Sequence, residues 1–562
     1  MIEWLAHPGL VLLLGAMLLP FLRARARAAA VLVLPLLALI LVWRLPDGAG
    51  LSAQWLGYQL TPISLDKLSR LFATIFSIMA FGGGLFALAQ PSRLELPAAY
   101  LYAGAAIGVV LAGDLISVFV FWELMAVGST LVLWSAGTAA AWAASRRYVM
   151  IHLLGGVILF AGISGHVLGT GDTAFERMAP DSIAHWLILI GFLVNAGAPP
   201  LSAWLPDAYP EASWSGTVFL SAFTTKTAVY VLLRGFPGTE FLIWIGLFMV
   251  FYGIVYALLE NDMRRILAYS IVNQVGFMIA GIGIGTEMAL NGAAAHAFTH
   301  IIYKGLLLMS AGSVLFATGK RKCSELGGLF HSMPAATICG IIGALAISSF
   351  PLTSGFVSKS MVSQAAADGH LTWVWLALAA ASAGVFLHAG IKFPWFVFFQ
   401  KDSGLRPADP PANMRWAMYG FSFLCLAIGV WPEALYRLLP HAVAYEPYTA
   451  AHVLTQLQLL LFSGLAFFVM LPWLKRTLTI TLDTDWVYRV FLPALAMAAG
   501  RGIGGIQKGM LRGGAAIGAR LSIAIRRHQR ADGFLMRSRP TSVMAFWAML
   551  VLLAYLIVNY IQ

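Results

Sequence analysis

Residues 289–318 read ALNGAAAHAFTHIIYKGLLLMSAGSVLFAT. This run holds no acid and a single base, Lys304. It exceeds the roughly 20 apolar residues that carry a helix across a bilayer. Within it, His296, His300 and Lys304 recur every four residues, so they stack on one helix face. The run therefore reads as a membrane span with titratable groups inside it.

The rest of the chain has the same character. Of its 562 residues 60% are hydrophobic and 11% charged. A soluble chain of this length would carry about 140 charges, roughly a quarter of its residues. Here there are 36 basic and 24 acidic side chains. This excludes a cytosolic enzyme, a disordered chain and a nucleic-acid binder. Cys323, Cys339 and Cys425 are widely spaced and form neither a zinc motif nor a disulfide framework. The N-terminal MIEWLAHPG lacks the basic start of a cleaved signal peptide.

Apolar runs between charged or Pro/Gly-rich breaks predict about sixteen spans, near 3–22, 28–44, 63–90, 96–112, 114–135, 147–169, 183–204, 214–234, 240–259, 264–285, 289–318, 334–365, 371–399, 414–436, 452–473 and 542–561. Loops after odd-numbered spans carry most of the bases, including Arg23, Arg146, Arg264, Lys320, Lys401, Lys475 and Arg476. By the positive-inside rule those loops are cytoplasmic and both termini lie outside. The net charge of +12 belongs to these loops and to a basic segment at 485–537. That segment, with Arg501, Lys508, Arg512, Arg520, Arg526 and Arg527, is too polar to insert and reads as interfacial. Five glycines between Gly500 and Gly509 weaken the case for one continuous helix there and leave its continuity open.

Ionisable groups inside spans are expensive and mark function by default. They are Glu123, Lys226, His296, His300, Lys304, Lys359 and Lys392, with His388 one turn before Lys392. A mid-span carboxyl can be a neutral structural group, and Lys392, near a span end, can simply snorkel to the interface. Two histidines and a lysine on one face are harder to explain as packing. With no carboxylate among them they suit a metal poorly. They suit proton relay. Asp114 opens span five and reads as an N-cap or a proton entry. Glu260 and Asp262, beside Arg264 and Arg265, read as a surface cluster. Two spans look broken, one at Gly197-Ala198-Pro199-Pro200 and one at Pro351–Gly355. Such breaks persist in lipid only beside protein or a polar cavity. Five spans apart, they fit an inverted repeat with its path at the midplane.

Ordered motifs then identify a relationship. They are FVFWELM at 119–125, WLPDAY at 204–209, KTAVY at 226–230, ENDMRRILAYS at 260–270, HIIYKGLL at 300–307 and PLTSGFVSK at 351–359. Over about 60–436 the chain resembles the antiporter-like membrane subunits shared by Mrp-type Na+/H+ antiporters, respiratory complex I and membrane-bound hydrogenases. It looks most like the D-type Mrp protein, with a tail similar to the lateral helix and last span of the largest complex I antiporter-like subunit. The resemblance implies an all-α polytopic protein with a fourteen-helix core of two inverted five-helix repeats, an interfacial segment and a final span. Its organisation would be 1–95 as N-terminal spans, 96–234 as first repeat, 240–400 as second repeat, 414–473 as C-terminal spans, 485–537 as lateral segment and 542–561 as last span.

The resemblance also implies a proton path through Glu123, Lys226, His296, His300, Lys304 and Lys359, with Asp114, Asn195, His388 and Lys392 accessory. It implies a transporter subunit of the bacterial inner membrane, with no cofactor or metal of its own. Its partners would be other membrane subunits, protons, Na+ handled by the complex, and the bilayer. One departure matters: counting back from Trp204, the family's span-seven lysine falls on Asn195. Lys226, the sole lysine in the first repeat's spans, is the expected substitute. Three functions follow: a proton-conducting antiporter subunit; a pumping subunit of a redox or inorganic-carbon complex; or a structural subunit whose conduction is lost. Na+ would want oxygen ligands, which the spans offer sparingly.

Overall fold

The computed structural model describes residues 7–473, 483–530 and 540–561, apart from the side chains of 499, 502–509 and 561. The start of the first expected span, Lys475, Arg476 and the end of the expected lateral segment lie outside these residues. The chain forms two units, Met1–Val487 and Tyr488–Gln562.

The first unit opens with α1 (Pro8–Leu18) and α2 (Ala24–Arg44). A hairpin of β1 (Gly50–Trp55) and β2 (Tyr58–Ser64) follows, antiparallel and unanticipated. Next come α3 (Lys67–Phe86), α4 (Glu95–Leu111), α5 (Leu115–Trp134) and α6 (Ala139–Thr170). Span seven is α7 (Ile183–Ala196) and α8 (Trp204–Ala208), separated where Gly197 turns left-handed at φ 77°. Span eight is also divided, into α9 (Gly216–Leu220) and α10 (Thr224–Gly235). The sequence held no proline there to announce it.

The order continues with α11 (Phe241–Leu259), α12 (Met263–Ile284) and α13 (Glu287–Thr318). The twelfth span divides as expected, into α14 (Pro334–Ile347) and α15 (Ser354–Asp368). The thirteenth, α16 (Thr372–Val385), runs on through π-helical turns at Phe386–Lys392 and Trp395–Phe399. Then come α17 (Ala412–Val430), the short α18 (Glu433–Tyr436) and α19 (Ala450–Met470). The second unit holds α20 (Leu492–His528) and α21 (Thr541–Ile561).

Eleven helices among the described residues are long and apolar enough to cross a membrane. Of the other expected spans, four contain shorter apolar helices: Pro8–Phe21, Glu95–Leu111, Ile183–Ala196 and Pro334–Ile347. The fourteenth is α17. The chain is an integral membrane protein of mostly helical build. The continuity that the glycines left open is decided: α20 is one helix of 37 residues. Glycine costs a helix about 1 kcal/mol each relative to alanine. That is less than the several kcal/mol of an unpaired peptide group in an apolar setting.

Two halves of the first unit repeat. α6 and α13 each have 32 residues, follow a threonine N-cap (Thr138, Thr286) and end at a left-handed glycine (Gly171, Gly319). Asp114 caps α5 and Asp262 caps α12, one step of the same length apart. Each aspartate makes an isolated bridge, to Ala174 and Lys322 respectively, again one such step apart. At the centre, α12 and the α9–α10 span are buried along their whole apolar window.

Candidate functional site

The second half gathers its polar groups around α13. His296, His300 and Lys304 are fully buried on one face. The facing residues come from α12 and α15. His296 Nε2 lies 3.0 Å from Gln274 Oε1, and its Nδ1 lies 3.2 Å from Ser358 Oγ. Tyr303 donates to the same Gln274 oxygen at 3.1 Å. Thr299 Oγ1 and Ser358 Oγ are 2.8 Å apart. Lys304 Nζ donates to Ser270 Oγ at 2.9 Å and to the Leu267 carbonyl at 3.4 Å. Neither ring nitrogen of His300 has a hydrogen-bond partner; its ring meets Tyr303 edge-on at 5.2 Å.

Lys359, beside Ser358 on α15, is buried without a hydrogen-bond partner for its ammonium. Nζ lies 4.4 Å from the Phe277 ring centre, so the cation is held by a π face. The break before α15 sets this up. It restarts the helix at Ser354, one turn before Ser358, whose hydroxyl meets His296 and Thr299 of α13.

The first half is arranged differently. Lys226 is fully buried at the restart of its divided span; Nζ donates to the Ser221 carbonyl at 2.7 Å and Thr225 Oγ1 at 3.0 Å. Those partners come from the break itself, and Glu123 is not among them. Glu123, on α5, is half-buried, and its Oε1 is buried without a hydrogen-bond partner. Asn195, at the end of α7, is buried and holds His152 of α6 through Oδ1 at 2.8 Å from Nδ1. His152 stands out less in the sequence because it sits in an apolar run with no Lys, Asp, Glu or second His one turn away.

Two accessory candidates have plain structural roles. Asp114 accepts from the Ser117 amide at 2.8 Å and from the Thr61 amide at 2.7 Å, joining α5 to the hairpin. Lys392, on the π-helical stretch, donates to the carbonyls of Ala257 at 3.1 Å, Leu258 at 2.6 Å and Glu260 at 2.6 Å, at the end of α11. His388, one turn before, donates from Nδ1 to the Gly384 carbonyl at 2.8 Å. Lys392→Met keeps the stem and removes the ammonium. It should lose about 1–3 kcal/mol for carbonyls left unpaired. Thermal unfolding of the purified protein in detergent checks this, with Lys392→Arg expected to retain most of the stability.

Glu260, Asp262 and Arg264 are buried, which corrects their reading as a surface cluster. Glu260 pairs with Arg265 at 3.0 Å, Asp262 with Arg321 at 2.7 Å, and Arg321 with Glu211 at 2.9 Å. Burial pushes the Asp262 carboxyl above the ordinary aspartate value, against the pull of Arg321 and Arg264. Near them a second carboxyl escaped the sequence reading. Glu95, at the start of α4, is fully buried and accepts from Gln90 at 3.0 Å, Ser213 at 2.6 Å, Ser135 at 3.1 Å and also Ser215. It lies one residue before the expected fourth span, outside the runs in which a buried charge stands out. Among the described residues no group of three or more His, Cys, Asp or Glu could hold a metal.

The profile of a family described as "NADH:quinone oxidoreductase/Mrp antiporter, TM" matches residues 112–385. The probable A/B subunit of a K(+)/H(+) antiporter of Rhizobium meliloti is 30% identical over 59% of this chain; the match spans 36% of that longer protein. The D-type subunit of the Na(+)/H(+) antiporter of Alkalihalophilus pseudofirmus is 30% identical over 55% of this chain and 69% of its own length. A chain of the Mrp complex from Dietzia sp. superposes with a TM-score of 0.67 at 21% identity, over 82% of this chain and 99% of that one. A chain of the archaeal membrane-bound sulfane sulfur reductase superposes at 0.72 and 23% identity, over 98% of this chain and 99% of that one. These two superpositions speak for the fold.

Proposed function

Because the chain belongs to the antiporter-like membrane subunits of the NADH:quinone oxidoreductase/Mrp antiporter family, we propose that it is the proton-translocating subunit of a multi-subunit cation/proton antiporter. The observation that carries this is the buried set Tyr303–His296–Ser358: the Tyr303 hydroxyl is 3.3 Å from His296 Nε2 and Ser358 Oγ is 3.2 Å from Nδ1, Gln274 Oε1 orients both rings, and Lys304 and Lys359 are next in the chain to its two ends. Such a chain can pass a proton from group to group without forming or breaking any heavy-atom bond. Protons move between Glu123, Lys226, the α13 row and Lys359. Na+ is handled by another subunit. The loops after odd-numbered spans face the cytoplasm of a bacterial inner membrane, and both termini lie outside.

A second reading is a pumping subunit of a redox complex. The family's description, which names an NADH:quinone oxidoreductase beside the Mrp antiporter, favours it. Purification from the native membrane, with identification of co-purifying subunits, separates the two. Small antiporter subunits support the first; iron–sulfur subunits support the second. The transport reading itself is tested by reconstituting that complex in liposomes with an internal pH dye. Glu123→Gln is expected to slow proton movement about 100-fold. An unchanged rate would return the chain to the third reading, a structural subunit.

A further inference from the structure

The repeat that relates α6 to α13 also relates their interiors. The step from Thr138 to Thr286 carries Tyr148 onto His296, His152 onto His300 and Gly156 onto Lys304. In α13 those positions form the buried titratable row. In α6 the first two are a tyrosine and a histidine with ring centres 4.0 Å apart. The third is glycine, and the space is filled from the neighbouring helix. A Cβ placed on Gly156 would lie 2.1 Å from Glu123 Oε1. Where α13 presents an amine, α6 receives a carboxylate from α5.

His152 has the connections of a carrier. It is 2% exposed. Nδ1 is 2.8 Å from Asn195 Oδ1, and an amide oxygen can only accept, so Nδ1 carries the hydrogen. Nε2 then holds the free lone pair; it is buried without a hydrogen-bond partner, as is Glu123 Oε1. Trp204 walls the ring at 4.7 Å. The titratable groups nearby are Tyr148 on its own helix, Glu123 of α5 against Gly156 one turn on, and Tyr209 beyond Trp204, while Arg147, earlier on α6, pairs with Asp207 of α8.

We propose that His152, oriented by Asn195, is the proton carrier of the first half and the partner of Glu123. The two are not hydrogen-bonded to each other at rest; a proton on the Glu123 carboxyl reaches Nε2 once side-chain rotation brings them together, leaving a carboxylate and an imidazolium whose Nδ1–H stays on Asn195. The same Nε2 releases it onward. This rests on the proton-translocating function proposed above.

The test uses the intact complex in liposomes with an internal pH dye, assembly being checked by native gel. His152→Gln should slow translocation about tenfold or more. Adding Asn195→Lys should restore much of the rate, because an amine at 195 returns a titratable group to the same pocket. An unchanged rate in His152→Gln overturns the proposal. So does a loss that Asn195→Lys fails to restore, which would make the histidine a packing residue. Should His152→Gln not assemble, Asn195→Asp tests the same pair. A carboxylate beside Nδ1 favours the imidazolium and should move the pH profile of translocation upward; an unmoved profile overturns the proposal. If Glu123→Gln and Lys304→Ala both translocate normally, it is the parent function that fails. If they stop translocation while His152→Gln does not, only the present inference fails.

Discussion

Lys304→Ala should slow proton translocation by about 100-fold or more, the low end of what a positioned acid–base group contributes. Lys304 is fully buried, and its hydrogen bonds go to the Ser270 hydroxyl and the Leu267 carbonyl. Neither partner carries a charge, so its ammonium is held by dipoles and can hand its proton on. The control that gives the test its force is Lys304→Arg. A guanidinium keeps the positive charge but does not deprotonate in a protein. If Lys304 passes protons, arginine is as inactive as alanine. If it supplies only a fixed charge, arginine retains the rate. A pH dye inside liposomes holding the intact complex reads both variants. Normal rates in Lys304→Ala would remove the α13 row from the path.

Gly276→Leu should cost the fold more than a substitution at a polar site. α11 and α12 touch through reciprocal glycines: a Cβ on Gly246 would sit 2.5 Å from the Gly276 carbonyl oxygen, and one on Gly276 would sit 2.6 Å from the Gly246 oxygen. The obstructing atoms are backbone, so no side-chain rotation relieves the clash. Overpacking costs roughly 1–3 kcal/mol, and this contact belongs at the upper end. Between helices in lipid, close backbone approach supplies much of the attraction. The variant should melt at lower temperature in detergent and give less assembled complex. Gly500→Leu, on α20, where a Cβ meets nothing within 4 Å, should do neither. Equal stability of the Gly276 variant would mean that the two helices can part at little cost.

Much of the site was legible because a charge in an apolar run stands out. Glu123, Lys226, Lys304 and Lys359 were found that way, and the i, i+4, i+8 spacing brought His296 and His300 with Lys304. The breaks at 197–200 and 351–355 were legible through proline and glycine. The break before Lys226 was not, because Ser221–Phe223 contain neither. Gln274, Ser270 and Ser358 were not legible either, being uncharged residues of kinds common in spans. Lys392 and Glu260 look alike in sequence as charged groups near span ends. The structure turns one into the cap of α11 and buries the other in an ion pair.

Composition and hydropathy alone determine that this is a polytopic helical membrane protein. A peptide chain in lipid must satisfy its backbone hydrogen bonds internally, and runs of this length do so only as helices. Charge scarcity within those runs then exposes most of the titratable groups. Tertiary structure alone decides which of them meet. It leaves Glu123 and Lys226 without a mutual ion pair, sets His152 on Asn195, and fills the space at Gly156 with a carboxylate from another helix. Those pairings depend on helix rotation and on glycine-mediated approach between segments far apart in the chain, which no local period in the sequence encodes.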